Sequence, residues 1–381
     1  MSDITKKIGI LGGGQLGKML FLAGSKMGLN ISCLDSSKDT PAAHVCPNFE
    51  IGDFKNYNDV LAFAEDKDII TIEIENVNTQ ALKELENQGK TVYPQASIIE
   101  LIKDKGAQKL FYQDNNIPSS EFSLVENREA LMNSEKVKNQ EYPFVLKMRV
   151  GGYDGKGVQI IHGAEDLTEA FDVPSVIEDM VPIKKELSVI VARNQNGEIK
   201  SYPVVEMIVD EEANLLDYLL CPAQISEDIA DRAKEVAENL TQKLGIVGLL
   251  AVELFLTNDD QILVNEVAPR THNSGHHSIE ACYTSQFEQQ LRAVMNLPLG
   301  ETSLTSPAIM YNLLGEEGFT GPTKIEGIDE VLSMTGVYPH IYGKALSKPK
   351  RKMGHLTIVF DDYEEAIQKL DRIKSSFKIK S

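Results

Sequence analysis

The sequence predicts an α/β chain, α+β when taken over its whole length, and three observations carry that reading. Short apolar runs in the N-terminal third alternate with helical patterns around a glycine-rich turn. Hairpin turns, not long crossovers, punctuate the middle. The length, 381 residues with 42% apolar and 25% charged side chains, suits two or three domains with proper cores.

Lys7-Ile8-Gly9-Ile10-Leu11 reads as a buried strand, and Gly12-Gly13-Gly14-Gln15-Leu16-Gly17 follows it. Gly12, Gly14 and Gly17 match Gly-x-Gly-x-x-Gly, an apolar helix is expected from Lys18 to Met27, and a second strand from Ile31 to Leu34 ends at Asp35. Two readings stand side by side. One is a dinucleotide fingerprint with Asp35 on a ribose. The other is a tight turn of a doubly wound sheet, whose helix N-terminus offers open N–H groups to an anion or a polar small molecule. A helix from Asp59 to Glu65 and a strand from Asp68 to Ile74 come next. Strict alternation puts Glu73 and Glu75 on one face, either at the ligand-binding carboxyl end of a parallel strand or at an exposed strand end. Ser97 to Asp114 reads as one helix carrying Lys103, Lys105 and Lys109, and the loop Asn115 to Ser120 marks the first domain boundary.

In the middle, Phe144 to Met148 and Val158 to Ile161 are strands flanking Gly151-Gly152-Tyr153-Asp154-Gly155-Lys156-Gly157. A Gly-rich loop between two strands is not a Walker A motif, which enters a helix. It fits a flap whose backbone amides fold over phosphates, with Lys147 and Lys156 adding positive charge. Strands are expected from Ser175 to Pro182, Glu186 to Val191 and Tyr202 to Val209, with a turn at Asn196-Gly197. Ser226 caps a helix whose stripe, Ile229, Ala233, Val236, Ala237, Leu240 and Leu244, is core.

The stretch Glu253 to His277 carries the chemistry. Two apolar runs flank Asn258-Asp259-Asp260-Gln261, and a two-residue turn at Asp259-Asp260 sets Glu253 opposite Glu266. Like charges opposed across a strand pair destabilise it, so a shared proton or a bound cation is required, unless the register slips and both carboxylates are solvated. Two carboxylates with Asn265 suit a hard divalent ion such as Mg²⁺ carrying substrate phosphates. Arg270, His272, Asn273 and Ser274 then crowd into one short Gly-containing loop, which reads as a substrate loop. A helix from Ile279 to Met295 and strands over Ala308 to Leu314 and Gly336 to Tyr342 follow. Lys344, Lys348, Lys350, Arg351 and Lys352 put five cations into nine residues just before Gly354-His355 and a strand from Leu356 to Phe360. At a sheet edge in an acidic protein, that cluster is expected to bind phosphate and not merely to be solvated.

A net charge of −19 argues against nucleic acid or an anionic membrane as partner. Cys33, Cys46, Cys221 and Cys282 show no metal or redox spacing and read as reduced thiols. The N-terminal apolar run is too short for a signal peptide and stops at three glycines, and no stretch spans a bilayer, so a soluble cytoplasmic protein is expected.

Taken together, Gly-Gly-Gly-Gln-Leu-Gly, Glu-x-Glu-Asn, Gly-Gly-Tyr-Asp-Gly-Lys-Gly, Asn-Glu-x-Ala-Pro-Arg-x-His-Asn-Ser-Gly-His and Arg-Lys-x-Gly-His resemble the N5-carboxyaminoimidazole ribonucleotide synthetase family of ATP-grasp ligases, from Gly12 to His355. The resemblance implies a Rossmann-like pre-ATP-grasp domain over residues 1–115, an ATP-grasp domain over 116–300 and a small C-terminal substrate-phosphate domain over 301–381, in a homodimer. It implies carboxylation of 5-aminoimidazole ribonucleotide with bicarbonate and MgATP, through carboxyphosphate, in purine biosynthesis; the nearest rivals are the formate-dependent glycinamide ribonucleotide transformylase and, from other classes, an NAD dehydrogenase or a nucleotide sensor. By matching motif, Lys105, Lys147 and the loop Gly151, Gly152, Gly155, Lys156 and Gly157 would hold ATP phosphates. Glu178, Met180 and Val181 would take adenine, Glu186 the ribose, and Glu253 and Glu266 Mg²⁺, with Asn265 at the same nucleotide. Gln15, Leu16, Glu73, Glu75 and Asn273 would face the aminoimidazole ribonucleotide, and Lys344, Arg351 and Lys352 its phosphate. Tyr153, Asp154, Arg270 and His272 would surround the reacting groups. The chain departs from the family at Met207-Ile208-Val209, where Asn-x-His is common, and at Lys18, where arginine is common.

Overall fold

The computed structural model describes residues 3–152, 157–210 and 215–381; Tyr153, Asp154, Gly155 and Lys156 lie outside the described residues. The N-terminal alternation forms a five-stranded parallel sheet in the order Phe49–Ile51, Asn30–Asp35, Lys7–Leu11, Ile69–Ile72, Thr91–Val92. Both faces are covered, which is why these strands are nearly all apolar. On one face Ile8, Ile10 and Ile69 pack with Met19 and Leu20 of helix Gln15–Lys26. Phe287 and Leu291 of helix Gln286–Val294, from much later in the chain, join the same core. On the other face Leu11, Ile70 and Ile72 pack with Val60, Leu82 and Ile99.

The chain leaves this sheet sooner than its alternation implies. Glu73 N–H makes a last bond to Leu11 O at 3.0 Å, and Glu73 and Glu75 lie beyond the strand end at Ile72. The single helix expected over Ser97 to Asp114 is two, Ala96–Lys103 and Lys105–Asp114. Asp104 breaks it by capping the second helix, accepting from Gly106 N–H at 2.8 Å and Ala107 N–H at 3.2 Å. Arg149 holds that carboxylate in a two-point fork, at 2.9 and 2.6 Å.

Two antiparallel sheets make up the rest. A four-stranded sheet runs Phe122–Val125, Ser175–Asp179, Phe144–Met148, Val158–Ile161. A larger one runs Ile262–Ala268, Gly248–Thr257, Ile183–Arg193, Val205–Asp210, Leu215–Cys221, Ala308–Leu314, Lys352–Val359, Val337–Ile341. Helix Glu227–Leu244, capped by Ser226 as expected, lays Ile229, Ala233, Ala237 and Leu240 on Val252, Leu254 and Leu256. The helix expected from Ile279 to Met295 is interrupted between Ser278–Ala281 and Gln286–Val294, where Cys282 bridges to Leu304 and Ser285 starts a new cap. The last long strand begins at Lys352, four residues before the expected Leu356, so it takes in one of the clustered cations.

Candidate active site

The carboxylate pair is opposed, but by a route other than the simple one. Asn258, Asp259 and Asp260 all lie in the turn: Asp260 N–H donates to Thr257 O at 3.0 Å, and Asp260 has φ 60°. A three-residue loop shifts the register by one. A β-bulge next to Glu253, with Asn265 as the extra residue, shifts it back, and Glu253 pairs with Glu266. The bulge also points Asn265 and Glu266 to one side. Lys147 Nζ donates to Asn265 Oδ1 at 3.0 Å, and Lys105 Nζ stands 2.6 Å from Glu266 Oε2. Burial, then the charges of Glu266 and Glu186, push the Glu253 carboxyl up to about 7. A carboxyl in that state takes a proton or a cation, and the oxygen donors Glu253, Glu266 and Asn265 fit a hard divalent ion.

Lys147 spans the cleft between the two antiparallel sheets, because its ammonium also sits 3.2 Å from Glu178 Oε1. Glu178 is buried, 3.3 Å from Lys109 Nζ, and accepts from Ser120 Oγ at 2.6 Å. Burial alone would raise it, yet Lys147 and Lys109 hold its carboxyl below the usual range. Lys105 reaches the same cleft because the Asp104 cap and Arg149 start its helix there; Lys105 N–H donates to Arg149 O at 2.8 Å. Lys109, Gln108 and Tyr112 also line this cleft and were not among the expected site residues. The i, i+4 spacing of Lys105 and Lys109 was the available signal. Gly151 and Gly157 take φ 88° and 86°, open to glycine alone without strain. Glu186 lies in the same large sheet opposite Met207, its carboxyl raised by burial, and Met180 and Val181 precede its strand.

On the other side of Glu253 stands the substrate loop. His272 Nε2 is 3.6 Å from Glu253 Oε1, and its Nδ1 lies 3.0 Å from Ser274 Oγ. Burial, then the cations Arg270 and Lys352, pull His272 down to about 3, so it is a neutral imidazole at neutral pH. Arg270 Nη2 is 2.7 Å from Glu75 Oε1, tying the loop to the N-terminal sheet. Arg270 Nε and Asn273 Nδ2 are buried without a partner among the described residues. Lys344 Nζ donates to Lys352 O at 2.7 Å, and burial, then Arg351 and Lys352, pull it down to about 8. Arg351 Nη1 donates to Leu346 O at 2.5 Å. The strand start at Lys352 brings this cation close enough to act on both Glu253 and His272.

The glycine loop is already filled. Gly13 N–H donates to Asp35 Oδ2, and Gly14 and Gly17 N–H donate to Glu73 Oε1 and Oε2, each at 2.7 Å. A Cβ on Gly14 would lie 2.6 Å from Glu73 Oε1, so glycine is what lets the carboxylate in. This corrects two expectations. Glu73 does not share an open face with Glu75, because both its oxygens are spent on the loop. Asp35 and Glu73 occupy the donors that a dinucleotide phosphate would need. Leu16 is also different from expected: its side chain is core, packed with Ile8 and Met19, so only its backbone can face a ligand beside Gln15.

Three family models match the chain in order: the ribonucleotide synthetase preATP-grasp domain over residues 5–103, the ATP-grasp domain over 110–287, and the phosphoribosylaminoimidazole carboxylase C-terminal domain over 308–369. The N5-carboxyaminoimidazole ribonucleotide synthase of Bacillus subtilis is 39% identical over 95% of this chain and 94% of its own length. The chain belongs to the N5-carboxyaminoimidazole ribonucleotide synthase family. A synthetase of that name from Thermotoga maritima is 43% identical, with a TM-score of 0.90, 99% of this chain and 100% of that one being covered. The Aspergillus clavatus synthase, solved with ADP and 5-aminoimidazole ribonucleotide, superposes with a TM-score of 0.88 at 30% identity, covering 97% of this chain and 98% of that one. The chloroplastic phosphoribosylaminoimidazole carboxylase of Vigna aconitifolia is 39% identical over 92% of this chain, but the match spans only 64% of that longer relative. The family's ATP-grasp fold accounts for the two antiparallel sheets facing each other across Lys147, and its C-terminal domain for the strands that carry Lys352 and His355.

Proposed function

We propose that this chain carboxylates 5-aminoimidazole ribonucleotide at its exocyclic amine, using bicarbonate and ATP and releasing ADP and phosphate. The observation that carries the reading is the position of Glu253. It stands between a lysine-lined cleft and a loop of Arg270, His272 and Asn273, within reach of both. Bicarbonate is a poor electrophile, so a bicarbonate oxygen attacks the γ-phosphorus of ATP, ADP leaves, and carboxyphosphate forms. The amine nitrogen then bonds to the carboxyl carbon, phosphate departs, and the nitrogen loses a proton. Lys105 and Lys147 neutralise the transferring phosphoryl group, with the glycine-rich segment that begins at Gly151 and Gly152 contributing backbone amides. Glu178, Met180, Val181 and Glu186 take the adenosine end. Glu253, Glu266 and Asn265 would hold Mg²⁺, which supplies charge neutralisation on the phosphates when bound. Arg270 steadies the anion, neutral His272 offers a hydrogen-bonding nitrogen beside it, and the departing phosphate takes the proton. Lys344, Arg351 and Lys352 take the nucleotide phosphate, with Gln15, Glu75 and Asn273 around the imidazole.

The glycine loop, with its donors on Asp35 and Glu73, disfavours the dehydrogenase reading. Bicarbonate-dependent ADP release in the presence of 5-aminoimidazole ribonucleotide is the expected result. Equal release with formate and glycinamide ribonucleotide would favour the transformylase instead. The proposal extends to a homodimer, as the resemblance implies, to be weighed by light scattering. It extends also to the cytoplasm, consistent with four buried, unpaired cysteines.

A further inference from the structure

A buried polar chain joins the two halves of the substrate side. Gln286 clamps the peptide of His272: His272 N–H donates to Gln286 Oε1 at 2.8 Å, and Gln286 Nε2 donates to His272 O at 2.7 Å. The second hydrogen on Nε2 is directed at His276 Nδ1, 3.2 Å away, which makes that nitrogen an acceptor and His276 a neutral imidazole. Gly275 permits this approach, since a Cβ there would lie 2.6 Å from Gln286 Cδ. His276 stacks on His355 with centroids 4.5 Å apart, and His355 stacks on His340 at 4.4 Å and 10°. His340 Nε2 is tied to Glu280 Oε1 at 2.7 Å. His355 Nδ1 lies 3.0 Å from the Tyr342 hydroxyl, and the Lys344 ammonium sits 5.5 Å from the Tyr342 ring centroid while donating to Lys352 O. Gln286, His276, His355 and Tyr342 are each no more than 1% exposed.

An ordinary core would place aliphatic side chains here. Instead a run of oriented donors, acceptors and ring faces leads from the backbone of His272 to the cations of the phosphate site. Aromatic stacking and directed hydrogen bonds fix distance and angle more narrowly than aliphatic packing does. We propose that Gln286, His276, His355 and Tyr342 are positioning residues that hold His272 in register with Lys344 and Lys352, so that seating the nucleotide phosphate aligns the reacting amine. The inference rests on the functional reading above.

Tyr342→Phe removes one hydroxyl and keeps the buried ring. Steady-state ADP release should show KM for 5-aminoimidazole ribonucleotide raised roughly 5- to 10-fold with KM for ATP unchanged and the melting temperature nearly so. His355→Asn, which keeps a polar atom near the Nδ1 position, should recover part of the loss seen in His355→Phe. In a double-mutant cycle, Tyr342→Phe should add little once Lys344→Met is present. Strictly additive effects, or a fall in melting temperature with both KM values moving together, would overturn the positioning role. If the unsubstituted protein releases no ADP in response to the nucleotide, the functional reading fails first and this inference with it.

Discussion

At the scale of single residues, burial beside like charges shifts Glu253 and Lys344 in opposite directions, and both make measurable predictions. Glu253 has a folded-state pKa near 7 against an ordinary 4.5. The stability it contributes is therefore fully present below pH 4.5 and lost as pH rises through about 7. Several buried histidines, His272 and His277 among them, act in the opposite sense below pH 6.5, so the wild-type profile alone is mixed. The difference between Glu253→Gln and wild type isolates the carboxyl. In metal-free buffer the variant should gain on wild type between pH 4.5 and 8, on the order of a few kcal/mol, and added Mg²⁺ should shrink the gap. A pH-independent difference would remove the charge argument. Glu266→Gln should lower kcat by about 100-fold or more while the melting temperature moves by no more than about 3 °C. Lys344 is pulled down to about 8, so it loses its charge as pH rises past that value. The KM for the phosphate-bearing substrate should climb above pH 8 in wild type and stay flat in Lys344→Met, whose KM is high throughout.

At the scale of elements, the site depends on breaks in regular structure. The break at Asp104 starts the helix that carries Lys105 and Lys109, and the bulge at Asn265 lines it up with Glu266. Asp104→Ala removes a cap worth about 1 kcal/mol and frees Arg149. Calorimetry should record that loss, and the KM for ATP should rise several-fold because Lys105 is no longer fixed. Arg149→Lys should reproduce most of the KM effect, since a lysine cannot form the two-point fork. An unchanged KM for ATP in both variants would separate the cap from the site.

At the scale of the whole molecule, the large sheet runs without interruption from the Glu253 hairpin to the C-terminal strands, through the pairing of Leu215–Cys221 with Ala308–Leu314. The proposed middle and C-terminal domains thus share one hydrogen-bonded ladder. Amide exchange of the two strands should show a single opening free energy; exchange of Ala308–Leu314 at much lower cost would mean separate units. The order of elements was legible because it depends on local periodicity: the strand Lys7–Leu11, the turn and the helix after it, and the capped helix Glu227–Leu244 all follow from neighbours in sequence. The breaks were not legible, because distant groups make them. Arg149 supports the Asp104 cap from 45 residues away, and Glu73 fills the glycine loop from 59. The Glu253–Glu266 pairing was legible only because a longer turn and a bulge cancel. Among site residues, those bound to a motif were readable, whereas Gln286 acquires its surroundings only in three dimensions.

Glu73 has one more consequence. A carboxylate tethered to the same chain competes for the loop amides at an effective concentration far above that of most free metabolites. Any external phosphate arriving at Gly14 and Gly17 meets a resident competitor that never diffuses away. The loop is therefore self-liganded, and the surrounding fold is spared from binding every nucleotide that shares its fingerprint. Among the described residues, no acceptor meets the amides of Gln15 and Leu16 at that helix start; these two are enough to touch a neutral heterocycle and too few to hold a pyrophosphate.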